Sequence, residues 1–515
     1  MEKINRKEVI ILILCLVVGF ALRFHTFDQR SLWMDEIHTF NDSRDDLKGQ
    51  IEFYKENPAY LHPPLFFVLT HLFYPFNKPE RDLRILPLIF GTLSIPMIYF
   101  LARLFSPHIA LLSTVYLTFM AYHISLSQDG RSYSLTMFIA MASLFFFLKH
   151  LKTSKKGYLL PVSFLFSILI HLSYSSIPFI VFSQLLWFYR INEEYPKNRL
   201  SSFLFLNASI LLLCVPWGFF VSLHYKGQDL MHPLHTEAAG SFWWITYLLF
   251  HDWMPHAPLT IASALLLVFF PFFSKNRKNA LILLAILFLP IGAVSSFCKL
   301  FNVTHFISSR YFISFLPLFL ISTYVSIVSA ETNFERVRKF VRPSLLLLIL
   351  FITSNLVILP LYYRAEKQDF RGLVAHLKTH LREGDKIFDA SGSYTLGILH
   401  YFGAYPQNRH HIMFYKMRLG RVIDSEKSFT YQNRIFTIYF SKDCCTQYVA
   451  DGSRLWIVVG KREAKKILAN SPAVLKGFYD GSFRNFYKFP DDGSIYLFLW
   501  DPKSPDEKGI DLPIE

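Results

Sequence analysis

Trp33-Met34-Asp35-Glu36 is the stretch that links the fold of this chain to a candidate site. It follows the first apolar segment, Glu8–Leu22, whose N-terminal flank carries three basic residues between positions 3 and 7. The positive-inside rule keeps such charges in the cytoplasm, so the acidic pair is predicted on the outer side. Two adjacent carboxylates beside a membrane are costly unless they have a function, which makes them the first candidate for a site.

Composition identifies the class of protein. Of the 515 residues, 52% are apolar and 17% are aromatic. Repeated apolar runs approach the roughly 20 residues that span a bilayer, which indicates a polytopic membrane protein. The formal net charge is +15, but the cations cluster in short loops between apolar runs, which excludes nucleic acid as a partner. The five cysteines lack the spacing of a metal site and are interpreted as incidental.

Eleven apolar segments are predicted to span the membrane. They are Glu8–Leu22, Leu83–Leu104, Ile109–Ile124, Leu135–Leu151, Leu159–Ser173, Ile177–Tyr189, Phe203–Val221, Leu259–Phe273, Ala280–Phe297, Tyr311–Val328 and Leu345–Leu361. The first is expected to remain as an anchor, because Arg23-Phe24-His25 follows it where signal cleavage needs small residues. The run Pro63–Phe76 is about 14 residues long, so its length favours an interfacial or re-entrant helix. If that run crossed, four later basic clusters would face outward, against the orientation bias.

This topology divides the chain into two predicted domains. Residues 1–361 form a transmembrane domain with outer-face loops at 23–82, 125–134, 222–258 and 298–310. Residues 362–515 form a soluble domain on the outer side of the inner (cytoplasmic) membrane, and the N-terminus lies inside. An α/β architecture is predicted for the tail from two strand-length runs and two helical patterns: Lys386–Ala390, Leu455–Val459, Gly372–Leu381 and Glu463–Ala469. The aromatic cluster Phe242-Trp243-Trp244, with Trp253, is interpreted as an interfacial belt.

The predicted outer loops collect an unusual set of polar side chains. They are Asp35, Glu36, His62, Gln128, Asp129, Arg131, Tyr133, His224, Lys226, His232, His235, Glu237, His305 and Arg310. Arg131 and Arg310 adjoin the first residues of apolar spans, where an unpaired cation would be expensive, and this favours an anion site at the membrane surface. Simpler interpretations also fit: the acidic pair as helix-capping or first-turn acids, and the histidines as turn or loop residues.

Five short motifs occur in order on the predicted outer side. They are Leu22-Arg23 with Ser31-Leu32-Trp33-Met34-Asp35-Glu36, His62-Pro63-Pro64-Leu65, Arg84-Ile85-Leu86-Pro87, Ser127-Gln128-Asp129-Gly130-Arg131-Ser132-Tyr133 and Ser309-Arg310-Tyr311. This succession resembles the GT-C glycosyltransferases, and within them the family-39 and lipid A aminoarabinose-transferase-like branch that uses polyprenyl-phosphate-linked sugars. The resemblance covers roughly Leu22 to Leu361 and the tail opening Asp369-Phe370-Arg371-Gly372. Gln128-Asp129-Gly130-Arg131 departs from the commoner Gln-Glu-Ala-Arg pattern of that family, and His38 stands where a small residue is more usual.

The resemblance implies a GT-C fold in which an Asp-Glu pair in the first outer loop stands at the catalytic centre, near a cavity for a lipid phosphate. A polyprenyl phosphate leaves as an anion, so the enzyme must stabilise the phosphate charge and deprotonate an acceptor. Asp35 fits the general base. Glu36 can orient Asp35, bind sugar hydroxyls, or share a divalent ion, magnesium or manganese, with Asp35 and His62.

The other candidates are predicted to bind substrate. Arg131, Arg310 and Lys226 are the candidate cations for the phosphate, and His62, Gln128, Asp129, Tyr133 and Tyr311 complete the set. The expected reaction moves a sugar from a polyprenyl-phosphate donor in the membrane lipid to a glycolipid, polysaccharide or protein acceptor. A transporter or flippase of lipid-linked glycans stays open as an alternative, although the inverted repeats common in transporters are not evident. A non-catalytic scaffold for the tail does not explain the acidic pair.

Overall fold

The computed structural model describes residues 4–56, 62–190, 198–224, 241–301, 307–333, 342–389, 394–404, 425–440, 452–483, 493–504 and 507–512. The chain divides into two compact units. Unit 1 comprises Met1–Phe27, Asp46–Phe73 and Leu83–Tyr363, and unit 2 comprises Asp28–Asp45, Tyr74–Asp82 and Arg364–Glu515. Parts of the predicted outer loop 23–82 therefore group with the tail, defined here as residues 364–515, and the rest groups with the apolar helices.

Helices account for most of the chain before the tail. In order they are α1 (Arg6–Phe24), α2 (Met34–Asp42), α3 (Leu47–Glu56), α4 (Leu65–His71), α5 (Pro79–Asp82), α6 (Ile85–Ala102), α7 (Pro107–Phe119), α8 (Ala121–Ser127), α9 (Tyr133–Thr153), α10 (Leu159–Leu172), α11 (Ile177–Ser183), α12 (Arg199–His224), α13 (Phe242–Trp253), α14 (Ala257–Phe273), α15 (Arg277–Leu300), α16 (Leu316–Asn333) and α17 (Pro343–Arg364). The tail adds α18 (Phe370–His380), α19 (Tyr394–Phe402) and α20 (Lys461–Asn470).

Each of the eleven predicted spans coincides with one of these helices or with a broken helix pair. Among the described residues, six helical stretches are long and apolar enough to cross a membrane: Pro79–Ala102, Tyr133–Thr153, Arg199–His224, Arg277–Leu300, Ser309–Asn333 and Pro343–Arg364. The number rises to eight if each of the bent pairs, α7 with α8 and α13 with α14, is one span. The multi-pass membrane class is confirmed. The count of eleven stays a prediction, because α10 and α11 are shorter and α1 carries charges at both ends.

The ambiguous run Pro63–Phe76 forms only one short helix. Helix α4 has 7 residues, which at 1.5 Å per residue is about 10 Å long, a third of the hydrocarbon thickness. The predicted outer loop 222–258 contains the apolar helix α13. The axis of α13 is bent by 115° from that of the following helix, α14.

A break between α7 and α8 shapes the centre of unit 1. The two helices meet at Met120 with a bend of 62°, which removes Ala121 from the regular hydrogen-bond ladder. Asn355 on α17 compensates, since its side-chain Oδ1 accepts from the Ala121 amide at 2.8 Å. Broken helices are tolerated at membrane depth when a neighbouring helix satisfies the freed backbone group in this way. The residues that follow α8 are thereby held in a buried position.

A close approach of α6 and α8 depends on a glycine. A β-carbon at Gly91 on α6 would lie 2.1 Å from the hydroxyl oxygen of Ser127, the last residue of α8. Ser127 is fully buried, and its hydroxyl donates to the carbonyl of His123 at 2.7 Å. Only glycine leaves room for this contact, so Gly91 sets the position from which the Gln128–Arg131 turn starts.

Unit 2 is centred on a mixed sheet of six strands. The strands are β1 (Lys386–Asp389), β2 (Ser425–Tyr431), β3 (Arg434–Phe440), β4 (Leu455–Val459), β5 (Val474–Tyr479) and β6 (Ile495–Trp500). Their order is β2-β3-β1-β4-β6-β5, with β3, β1 and β4 parallel and the other pairs antiparallel. The core on one side joins apolar residues of the central strands, among them Phe388, Ile457 and Phe498, to Ala464 and Ile467 of α20. The predicted α/β character of the tail is confirmed.

We predict that Gly91→Ala destabilises the protein whereas Gly218→Ala does not. An alanine at 91 forces Ser127 out of its site, and overpacking of this kind costs about 1–3 kcal/mol. Gly218, in the helix α12, has open space around its missing β-carbon, so alanine there gains about 1 kcal/mol of helix propensity. Thermal unfolding of both variants in one detergent measures the difference. Equal midpoints for the two variants would contradict the close-contact account.

Candidate functional site

The candidate residues divide between the two units. Asp35 and Glu36 belong to unit 2, and His62, Gln128, Asp129, Arg131, Tyr133, Arg310 and Tyr311 belong to unit 1. Lys226, together with His232, His235, Glu237 and His305, lies outside the described residues.

The two carboxylates of the acidic pair have different surroundings. Helix α2 begins at Met34, with Trp33 in the N-cap position. Glu36 is fully buried, and its Oε2 accepts from the Trp33 amide at 3.4 Å, which satisfies a donor at the helix start. Asp35 stands at the second helical position and is half-buried. The capping interpretation thus applies to Glu36, while Asp35 is a first-turn acid whose charge is favoured by the helix dipole.

The Gln128–Arg131 turn connects α8 and α9. The side-chain amide of Gln128 donates to the carbonyl oxygens of Arg23 at 2.8 Å and His25 at 2.6 Å, so this nitrogen holds the end of α1. Asp129 is buried, and its carbonyl accepts from the Arg131 amide at 2.6 Å. Arg131 is half-buried, two residues before the first residue of α9. The turn therefore combines one buried carboxylate with one half-buried guanidinium.

A second cation lies at the start of the long apolar stretch Ser309–Asn333. Arg310 occupies a 3₁₀ turn, Ser309–Phe315, and is half-buried. Its guanidinium carbon lies 5.6 Å from the ring centroid of Tyr133 and 5.5 Å from that of Tyr311. Cation–π contacts of this kind hold a guanidinium in place while leaving its edge suited to an anion. The structure thus brings together three predicted substrate residues from two separate elements.

A buried polar chain beside this turn escaped the sequence analysis. Tyr122 on α8 and Ser309 share a hydrogen bond at 2.9 Å, and Ser309 donates to the carboxylate of Asp252 on α13. The other oxygen of Asp252 lies 2.8 Å from Nδ1 of His251. The side chain of Asp252 is only 1% exposed, so this carboxylate fixes Ser309, the residue before Arg310. A charged residue inside an apolar aromatic helix was the available signal, but the neighbouring tryptophans favoured an interfacial belt.

His62 belongs to unit 1. It is exposed and directly precedes Pro63-Pro64, before α4. Across the part of the chain that the structure describes, no group of three or more histidine, cysteine, aspartate or glutamate residues could hold a metal ion. The shared divalent ion of Asp35, Glu36 and His62 stays a prediction.

Comparison with known proteins agrees with this architecture. A family model described as dolichyl-phosphate-mannose-protein mannosyltransferase matches residues 61–220. Two crystal structures of ArnT from Cupriavidus metallidurans align over 95% of this chain and 97% of theirs at 12% identity. The apo state superposes with a TM-score of 0.55, and the state bound to undecaprenyl phosphate with a TM-score of 0.53. No match was found among curated protein sequences.

At 12% identity the likeness to the solved structures shows a shared fold. The alignment extends through the tail as well as the apolar helices, because it covers nearly the whole of both chains. The predicted fold class, a polytopic GT-C membrane domain followed by a C-terminal α/β domain, is confirmed. The roles of the individual site residues stay predictions.

Proposed function

We propose that this chain is a membrane glycosyltransferase that transfers a sugar from a polyprenyl-phosphate donor to an acceptor at the outer face of the inner membrane. The acceptor is a glycolipid, a polysaccharide or a protein. ArnT, which shares the fold, was crystallised with undecaprenyl phosphate, and the matched family model is described by a dolichyl-phosphate sugar. Undecaprenyl phosphate and dolichyl phosphate are both polyprenyl phosphates, which supports a sugar donor linked to such a carrier for the present chain.

The observation that carries the proposal is the contrast within the acidic pair. Glu36 is buried and caps α2, whereas the adjacent Asp35 is half-buried and is not the cap. A general base needs access to the acceptor and a fixed backbone; the partial exposure of Asp35 and its place in the first turn of α2 support this role. Glu36 provides the fixed backbone, so the two carboxylates take different roles.

The proposed reaction is a direct displacement at the anomeric carbon. The acceptor oxygen forms a bond to this carbon while the bond from the carbon to the phosphate oxygen breaks. The acceptor proton moves to the carboxylate of Asp35, and the bonding electrons leave with the polyprenyl phosphate. Since the leaving group is already a stable anion, catalysis requires a base and charge stabilisation rather than a strong general acid.

Cations of unit 1 are proposed to bind the donor phosphate. Arg131 and Arg310 are each half-buried next to an apolar segment, where a lipid phosphate and its chain would meet protein. Guanidinium groups bind phosphate oxygens in a bidentate manner, and Tyr133 and Tyr311 hold Arg310 in position. Lys226 is proposed as a third cation. Gln128 and Asp129 are proposed to shape the same pocket, as is His62.

Asp35→Asn should reduce turnover about 10²-fold or more and leave donor binding intact, because asparagine keeps the size of the side chain but cannot accept the proton. Release of polyprenyl phosphate in single-turnover assays measures the loss. Asp46→Asn is the matched control: Asp46 caps α3 by accepting from the Gly49 amide at 2.9 Å, and asparagine caps equally well. Normal single-turnover rates for Asp35→Asn would exclude Asp35 as the base.

Arg310→Gln should weaken donor binding by about 10- to 100-fold, because a charge-assisted hydrogen bond to phosphate contributes about 1.5–3 kcal/mol. The weaker binding should be measured as a higher donor KM or as a higher dissociation constant for polyprenyl phosphate. Arg81→Gln, which removes an arginine whose side chain is 42% exposed, should leave donor affinity unchanged. An Arg310→Gln variant with unaltered donor affinity would remove Arg310 from the phosphate site.

A divalent ion held by Asp35, Glu36 and His62 is kept as a prediction for the donor site. Magnesium and manganese favour carboxylate oxygens, and one oxygen of Glu36 is already used by the Trp33 amide. Dialysis against a chelator should then abolish activity, and added magnesium or manganese should restore it. Full activity after chelation, with elemental analysis confirming that the metal has been removed, would show that the reaction does not require a divalent ion.

The proposed orientation places the N-terminus inside and the site and tail outside. In a background without native cysteines, Ser132→Cys should react with an impermeant external thiol reagent, because this half-buried position follows the Gln128–Arg131 turn. Thr153→Cys, at the exposed opposite end of α9, should be shielded in sealed cells. If the cysteine at 153 were labelled from outside and the cysteine at 132 were protected, the orientation would be the opposite of the one proposed.

A further inference from the structure

The backbone that leads into the acidic pair is held by side chains of the tail. Three consecutive amides precede or begin α2, namely those of Leu32, Trp33 and Met34. The Leu32 amide donates to the hydroxyl of Tyr401 at 2.8 Å, and the Met34 amide donates to Oε1 of Gln368 at 2.9 Å. The amide between them is bound by Glu36. Two of the three donors at the start of this helix are therefore satisfied by residues more than 330 positions away.

Tyr401 is the centre of a polar cluster that also includes Glu80 and Arg371. The Tyr401 hydroxyl donates to Oε1 of Glu80 at 2.9 Å and accepts from the hydroxyl of Ser31 at 3.2 Å. Burial, together with the negative charge of Glu80, raises the pKa of Tyr401, so the hydroxyl stays protonated and available as a donor. One phenol thus joins residues 31–32, the segment 74–82 and α19 within unit 2.

Arg371 binds the two residues that precede Ser31 and Leu32 in the chain. Its guanidinium donates to the carbonyl oxygens of Gln29 at 2.9 Å and Arg30 at 3.4 Å, and to Oε1 of Glu80 at 2.8 Å. A lysine has a single point charge and cannot reproduce this fork. Arg371 lies in the Asp369-Phe370-Arg371-Gly372 motif at the start of α18, where Asp369 caps the helix by accepting from the Gly372 amide at 2.8 Å.

Aromatic contacts extend this arrangement to the N-cap residue. The ammonium nitrogen of Lys367 lies 5.0 Å from the ring of Trp33 and 5.3 Å from that of Phe483. Lys367 is 8% exposed and Trp33 is 4% exposed, so the contact is shielded from solvent and correspondingly stronger. Every residue from Gln29 to Met34 thereby has a bond, a ring contact or both with the tail or with Glu36.

We propose that the tail is a positioning domain for Asp35, acting through the Tyr401, Gln368 and Arg371 bonds that fix the Gln29–Met34 backbone. This inference rests on the proposed function, since it assigns Asp35 the role of base. None of the three tail residues touches the substrate in this account, so they are positioning residues. A displacement of about 1 Å at a reacting group can reduce the rate about 10²-fold, and a loop of this length needs external bonds to hold its geometry.

The first test measures the loop itself, independently of catalysis. Tyr401→Phe in the full chain keeps the ring but removes the hydroxyl and its three hydrogen bonds. Amide hydrogen exchange of a peptide covering residues 29–36 should become at least about tenfold faster in this variant. Tyr479→Phe is the matched control, because it removes a phenol hydroxyl from the same unit at a residue that is 8% exposed, and exchange of the 29–36 peptide should not change. Unchanged exchange in Tyr401→Phe would overturn the proposal.

The second test asks whether the tail acts through Asp35. Tyr401→Phe should lower kcat about tenfold or more and leave the donor KM within about twofold, since the proposed phosphate cations belong to unit 1. In an Asp35→Asn background the same change should have no further effect, because the group that it positions is gone. Independent, additive losses would indicate general destabilisation and overturn the proposal. An active Asp35→Asn enzyme whose loop still responds to Tyr401→Phe would instead overturn the proposed function and leave the hydrogen bonds standing.

Two substitutions at Gln368 test whether its hydrogen bond to the Met34 amide positions the base. Gln368→Glu retains an acceptor oxygen for the Met34 amide and should keep at least about half of the wild-type kcat. Gln368→Leu has similar bulk but no acceptor, and it should lose kcat about tenfold with the donor KM unchanged. Equal activities of the two variants would show that the Met34 bond does not position the base.

Discussion

The buried guanidinium of Arg23 is the interaction on which the rest of unit 1 depends. It has no exposed surface and donates to the carbonyl oxygens of Leu117 at 2.9 Å and Thr118 at 3.3 Å, at the end of α7. Its own carbonyl accepts from Gln128. The Arg23 side chain and the Arg23 carbonyl together join the ends of α1 and α7 to the turn after α8, and the cost of burying a cation without these bonds restricts how the three can pack. These bonds fix the backbone at the start of the Gln128–Arg131 turn, which carries Asp129 and Arg131.

Much of this architecture could be predicted from the sequence because the membrane imposes a simple rule. Each apolar run from Glu8–Leu22 to Leu345–Leu361 is helical, since backbone groups in hydrocarbon must be satisfied internally. The run after Pro63-Pro64 forms a helix of 7 residues, and its interfacial or re-entrant placement stays a prediction. In the tail, the predicted strands and helices around Lys386, Leu455, Gly372 and Glu463 are confirmed.

The contacts that complete the site could not be predicted, because they join residues far apart in the chain. Asp252 and Ser309 are 57 positions apart, and the position of Asp252 in an apolar helix gives no indication of which residue is its partner. Likewise the tail offered no catalytic motif, yet Tyr401 and Gln368 satisfy amides at the start of α2. Strands β2, β3, β5 and β6 were missed, although the continuous apolar run Ile495–Trp500 of β6 was an available signal.

The two adjacent carboxylates of the acidic pair have different surroundings. Burial and one backbone bond commit Glu36 to the helix start, whereas Asp35, one residue earlier, is half-buried and faces a different environment. The tail then adds bonds on the N-terminal side of the same helix.

The most direct test of the central claim is donor turnover by the purified full-length protein. It should be incubated in detergent or nanodiscs with a panel of polyprenyl-phosphate sugars and with glycolipid, polysaccharide and peptide acceptors, and released polyprenyl phosphate should be quantified. The account predicts release with at least one donor, dependent on an acceptor and matched by a glycosylated product. Binding of donors without any release across the panel, together with movement of lipid-linked glycans between leaflets in proteoliposomes, would contradict it and favour a flippase.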